Sequence, residues 1–97
     1  MTGFVQIIEF QSSRLDDLKK LVEERREQGP GSALRGTITA DRDRPGTYLN
    51  IVEFESAEAA AENSNRPETQ EMAAKMAELC DGPPKFYNLD LIESWEA

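Results

Sequence analysis

Gly46-Thr47-Tyr48-Leu49-Asn50-Ile51-Val52-Glu53-Phe54 is the stretch around which the rest of the chain is organised. Alternate side chains of a strand point to opposite sides of a sheet. One side of this stretch shows Tyr48, Asn50, Val52 and Phe54, and the other Leu49, Ile51 and Glu53. An antiparallel sheet with one wet face alternates apolar with polar residues. Here both faces are substantially apolar, so the segment calls for cover on both sides.

Outward in both directions the punctuation is clear. Asp41-Arg42-Asp43-Arg44-Pro45-Gly46 reads as a turn, and before it Leu34–Asp41 reads as a weaker strand with a polar second face, suited to an edge. After it, Ser56 is an N-cap for the alanine-rich run 57–62, and Pro67 opens a second helix with Met72, Ala73, Met76, Leu79 and Cys80 on its buried stripe. Asp81-Gly82-Pro83-Pro84 closes it, with Gly82 as the expected C-terminal cap.

The two ends supply the partners. Gly3–Phe10 alternates as a strand, with Phe4, Gln6, Ile8 and Phe10 on one side and Val5, Ile7 and Glu9 on the other. Leu15, Leu18, Leu21 and Val22 recur at helical spacing, and the helix is expected over Arg14–Gln28, stopped by Gly29-Pro30-Gly31. Phe86–Ile92 is the last strand, with Tyr87, Leu89 and Leu91 on one side and Asn88 on the other.

The order β-α-β-β-α-β is that of a ferredoxin-like α+β domain. It predicts a four-stranded antiparallel sheet with helices on one face and the first and third strands at its centre. One domain accounts for residues 1–97. On the face away from the helices, Val5, Ile7, Leu49, Ile51, Tyr87, Leu89 and Leu91 would form one apolar patch. Burying one such side chain is worth roughly 1.5–3 kcal/mol. Such a patch marks an interface, and a second copy packed face to face closes a symmetric homodimer.

Composition excludes several functions. A net charge of -8, from 19 acidic and 11 basic residues, argues against nucleic acid and anionic membrane surfaces. The absence of histidine removes imidazole metal ligands and every histidine-based dyad. The single Cys80 excludes a disulfide framework and reads as a small core residue. The N-terminal residues show neither a signal peptide nor a membrane span, so a cytoplasmic location is expected.

The motif Tyr48-Leu49-Asn50-Ile51-Val52-Glu53-Phe54-Glu55-Ser56 with its alanine-rich helix, and the hinge Asn63–Met72 before the second helix, resemble the dimeric α+β-barrel superfamily. The likeness is to its antibiotic biosynthesis monooxygenase-like proteins, and it extends over nearly the whole chain. It implies a dimer closed through the open sheet face and a cavity between sheet and helices. It also implies chemistry without a cofactor, in which amide and phenol groups hold a phenolic anion while it reacts with oxygen. By position the cavity would be lined by Phe4, Ile8, Phe54, Met72, Met76 and Asn88, with Gln6, Tyr48 and Asn50 as the groups available for catalysis. Haem-degrading relatives carry an Asn on strand one, a Trp at the end of strand three and a helical His. This chain offers Gln6, Phe54 and no His, which disfavours haem degradation.

Each of these residues has a plainer reading. Gln6, Asn50 and Asn88 are equally buried amides satisfied by neighbours, Tyr48 a packing aromatic and Trp95 a surface-closing side chain. Glu9 and Glu53 are either a carboxylate pair on neighbouring strands or members of separate ion pairs, with Arg35 within reach. The alternative to an enzyme is a non-catalytic binding or assembly module whose interior is filled by Phe4, Phe10, Phe54 and Met76.

Overall fold

The computed structural model describes residues 3–27, 29 and 31–97, Arg26 by its backbone alone. The elements follow the expected order: β1 (Phe4–Gln11), α1 (Leu15–Glu27), β2 (Ala33–Ala40), β3 (Thr47–Phe54), α2 (Ala57–Ser64), α3 (Pro67–Leu79) and β4 (Lys85–Asp90). The expected end of α1 at Gln28 and the Pro30 of its stop signal lie outside the described residues. The sheet has four strands in the order β2-β3-β1-β4, with every neighbouring pair antiparallel. The fold is therefore ferredoxin-like α+β, with the opening stretch as a central strand.

The register confirms the division into two faces. Ile7 stands opposite Ile51 on one side and Tyr87 on the other, and Val5 opposite Leu89, so these side chains share the open face. Phe4 pairs with Phe54 and Phe10 with Tyr48 on the opposite face, against the helices. There the core forms two clusters at opposite ends of the central strands. Phe10 packs with Leu18, Leu21 and Met76, and Phe4 and Phe54 pack with Ala60.

Leu18 is 2% exposed at the centre of the first cluster. Leu18→Ala is expected to destabilise the fold by about 2–4 kcal/mol in urea titration. A loss below about 1 kcal/mol would mean that α1 is not held to the sheet through this cluster.

Local chemistry fixes the element ends. Ser56 Oγ accepts from the Ala59 N–H at 3.1 Å, capping α2, and Pro67 sits in the first turn of α3. Gly46 has φ 85°, a left-handed conformation that glycine takes at no steric cost, and its carbonyl accepts from Ser12 N–H at 3.0 Å. Arg44 bridges Asp41 (2.8 Å) and Glu9 (3.2 Å), pinning the β2–β3 turn to β1. Its guanidinium holds the Asp41 carboxyl below the usual carboxylate range.

Most element boundaries shift by one or two residues from expectation, α2 for example running on to Ser64, and three differences have a structural reason or consequence. Helix α3 ends at Leu79 with Cys80 as an extended cap, and Gly82 does not take a left-handed conformation. The chain leaves the helix extended because Asp81 N–H must reach the Gln11 carbonyl at 2.7 Å. Strand β4 stops at Asp90, so Ile92 lies outside the ladder, although Leu91 N–H still donates to Gly3 at 2.9 Å. In β2, Ala33 pairs with Phe54 and Arg35 with Glu53, leaving Leu34 as an extra residue. This bulge brings Ala33 to the helix side, where it packs on the Phe4–Phe54 cluster.

Candidate ligand cavity

The two core clusters leave a space between them. A cavity of about 490 Å³ lies between the helix-side face of the sheet and helices α1 and α3. Its size is in the range of small-molecule sites. Phe4, Phe10, Phe54 and Met76 do not fill it, because the phenylalanines are drawn to the sheet ends by their own clusters. The filled interior of the alternative reading is therefore not observed.

The sheet contributes Gln6, Ile8, Asn50, Val52 and Phe54 to the wall, and α3 contributes Met72 and Met76. The elements converge for a simple reason. Even-numbered positions of β1 and β3 share one face in register, and Met72 and Met76 are four residues apart on one helix face. Phe86 (56% exposed) and Leu34 (66% exposed), on opposite edge strands, also line the space and leave it in reach of solvent.

The candidate catalytic residues separate. Asn50 lines the cavity, and among the described residues no group hydrogen-bonds its carboxamide. Gln6 lines it as well, but its Nε2 donates to Asn88 Oδ1 at 3.1 Å, which ties the two amides together. Asn88 is not in the wall. Tyr48 does not reach the cavity. Its ring packs on Phe10, with centroids 5.8 Å apart and planes tilted by 33°, because the register places the pair directly opposite at the filled end of the sheet. Phe4 is likewise sequestered beside Phe54 and Ala60 and does not line the cavity.

The paired-carboxylate reading fails on register. Glu9 stands opposite Leu49 and Glu53 opposite Val5, which separates them by four residues along the strands, about 13 Å. Glu9 pairs with Arg44, and Glu53 with Arg35 at 3.4 Å. Burial, and to a lesser degree the Asp81 carboxylate, push the Cys80 thiol up. It stays protonated at neutral pH and packs against the Phe10 cluster. Trp95 is 82% exposed and closes nothing within its own chain. Among the described residues no cluster of acidic or sulfur side chains is arranged for a metal ion.

Sequence reasoning missed polar wall residues from the helices. Arg25, Asn63 and Thr69 all line the cavity. Arg25 had a visible signal, since it continues the Leu18–Leu21 stripe by one further turn. Thr69 Oγ1 is buried without a hydrogen-bond partner among the described residues.

Among the described residues, no helix covers the opposite face of the sheet. Val5, Ile7, Leu49, Ile51 and Leu91 are half-buried by one another, and Tyr87 and Leu89 remain 40% and 43% exposed. No helix among the described residues is long and apolar enough to cross a membrane.

No protein-family model matches the chain, and no curated protein matches its sequence. Solved structures do match it closely in shape. SnoaB from Streptomyces nogalater, a cofactor-independent oxygenase, superposes with TM-score 0.80 at 14% identity over 97% of each chain. Rv0793 from Mycobacterium tuberculosis superposes with TM-score 0.77 at 17% identity, over 98% of this chain and 100% of that one. A conserved protein from Methanosarcina mazei Go1 gives TM-score 0.81 at 8% identity over 93% of each. In fold, then, the chain is a ferredoxin-like α+β protein, similar in shape to solved antibiotic biosynthesis monooxygenase-type structures.

Proposed function

We propose that this chain works as a homodimer in the cytoplasm. In this reading each subunit binds a small aromatic or apolar molecule between sheet and helices and oxidises it with molecular oxygen, without a cofactor. The observation that carries the reading is the cavity of about 490 Å³ with the Asn50 carboxamide in its wall. The shape shared with SnoaB supports it.

In the proposed reaction the substrate supplies the electrons. A phenolic ring system with an activated methylene loses a proton to solvent water and forms a delocalised enolate. The enolate carbon reduces oxygen and bonds to it, and the peroxide collapses to a ketone. One methylene and one oxygen molecule become one carbonyl and one water. The chain's part is to bind, orient and stabilise charge. The Asn50 Nδ2 group donates to the enolate oxygen, and the apolar wall of Ile8, Val52, Met72 and Met76 keeps that hydrogen bond in a low dielectric.

Oxygen uptake over a panel of phenolic polycyclic substrates tests this. Wild-type protein is expected to consume oxygen in a substrate-dependent way, and Asn50→Ala to lower the rate about tenfold or more, as for loss of an oxyanion donor. Saturable binding without oxygen uptake overturns the oxidation step and selects a binding module. That second reading is favoured by the mutual hydrogen bond of Gln6 and Asn88, which engages two of the amides near the cavity.

A further inference from the structure

We infer that the cavity's ligand is an organic anion, an apolar body ending in a carboxylate that Arg25 holds. The inference rests on the reading that the cavity binds a small molecule. It begins from charge. The chain carries 19 acidic and 11 basic residues, yet the described cavity wall includes Arg25 and Arg35 and no Asp or Glu. In so acidic a protein, a wall without carboxylates removes the repulsion an anionic ligand would meet elsewhere on the surface.

Arg35 does not supply the anchoring charge. Its guanidinium pairs with Glu53 on the open face of the sheet. Arg25 does face the cavity. Among the described residues its hydrogen bond goes to the Gly29 carbonyl, a neutral acceptor, and no carboxylate pairs with it. Although Arg25 also borders a groove lined by Glu24, Glu68 and Glu71, it forms no ion pair among the described residues, and its guanidinium has further N–H donors for a ligand.

The chain is shaped to gather polar groups at this corner. A side chain at Gly31 would place its Cβ 2.5 Å from Asn63 Oδ1, 2.8 Å from Arg66 Nη1 and 3.1 Å from Arg25 Nη2. Gly31 also has φ 61°. Glycine here lets two guanidinium groups and an amide close around one point. Arg66 shares its charge with Glu68 at 3.5 Å, so it supports Arg25 without cancelling it. The partnerless Thr69 hydroxyl lies in the same wall and can donate to a carboxylate oxygen. A guanidinium offers two parallel N–H groups that match the two oxygens of a carboxylate. The part of the wall formed by Ile8, Val52 and Met76 is mostly apolar and suits the ligand's apolar body, with Asn50 as a polar group beside it.

The test compares 2-naphthoate with its neutral isostere 2-naphthamide by isothermal titration calorimetry on the full chain. Naphthoate is expected to bind about tenfold more tightly, the effect of one charge-assisted hydrogen-bonded pair at a partly wetted site. The advantage should shrink as salt is added. Arg25→Gln should abolish the preference by weakening naphthoate far more than naphthamide, with retained folding checked by circular dichroism. Arg66→Gln, which leaves the α1 terminus intact, should reduce the advantage in part. Equal affinities in the wild type overturn the anion inference and leave the cavity reading standing. A preference that survives Arg25→Gln overturns the assignment to Arg25. Binding of neither probe overturns both the inference and the reading beneath it.

Discussion

Ile51→Lys is expected to turn a dimer into a folded monomer. Ile51 lies at the middle of the open face, with Ile7 opposite it on β1, Thr37 on β2 and Tyr87 beyond Ile7 on β4. In an isolated subunit this position borders solvent, so a lysine can lift its ammonium into water and the sheet need not change. In a face-to-face dimer the same ammonium is buried against apolar side chains, and the two-fold axis brings two of them into one interface. Burial of an unpaired charge costs several kcal/mol. A loss of only about 4 kcal/mol weakens association roughly a thousandfold. Sedimentation velocity at micromolar concentration should show a dimer for the wild type and a monomer for the variant, with matching far-ultraviolet circular dichroism. A dimer that survives the substitution places the interface elsewhere. A monomeric wild type removes the dimer altogether.

Gly36→Leu is expected to empty the function and leave the fold intact. Gly36 sits in β2 opposite Val52, on the helix side of the sheet, and lines the cavity. Its backbone does not need positive φ, and a Cβ added there meets nothing within 4 Å. Replacing glycine inside a strand restricts the unfolded chain and improves strand propensity, a gain of about 0.5–1 kcal/mol. The melting temperature should therefore hold or rise. The leucine side chain, however, occupies the space a ligand would need. Binding of 2-naphthoate and any oxygen uptake should fall below detection. Binding at wild-type affinity would show that the ligand site is not this cavity.

These two variants probe the two sides of one sheet, and their legibility in the sequence differs. The open face could be read from Val5, Ile7, Leu49 and Ile51 alone. Strand alternation is a property of local backbone geometry, and antiparallel register keeps like faces together. The same reasoning carried the element order, the Ser56 cap and the Pro67 helix start, each of which depends on residues a few positions apart. Polar residues on the cavity side were visible as residue types, but their partners were not. Gln6 meets Asn88 82 positions away, and Tyr48 is lost to Phe10 across the β1–β3 pair. Which polar group stays free depends on those distant neighbours.

The sequence by itself determined the ferredoxin-like order, the two-faced central strand Thr47–Phe54 and the apolar patch that calls for a partner. Tertiary structure decided that the interior is open rather than filled. Whether Phe4, Phe10, Phe54 and Met76 occupy the space under the helices is a sum of volumes over three separate elements. Close packing makes that sum sensitive to small shifts that no local pattern records. It likewise decided that Leu34 bulges, that Arg25 turns inward and that Gly31 lets it meet Arg66. Local periodicity selects the face a side chain takes, and only packing across distant segments decides what it finds there.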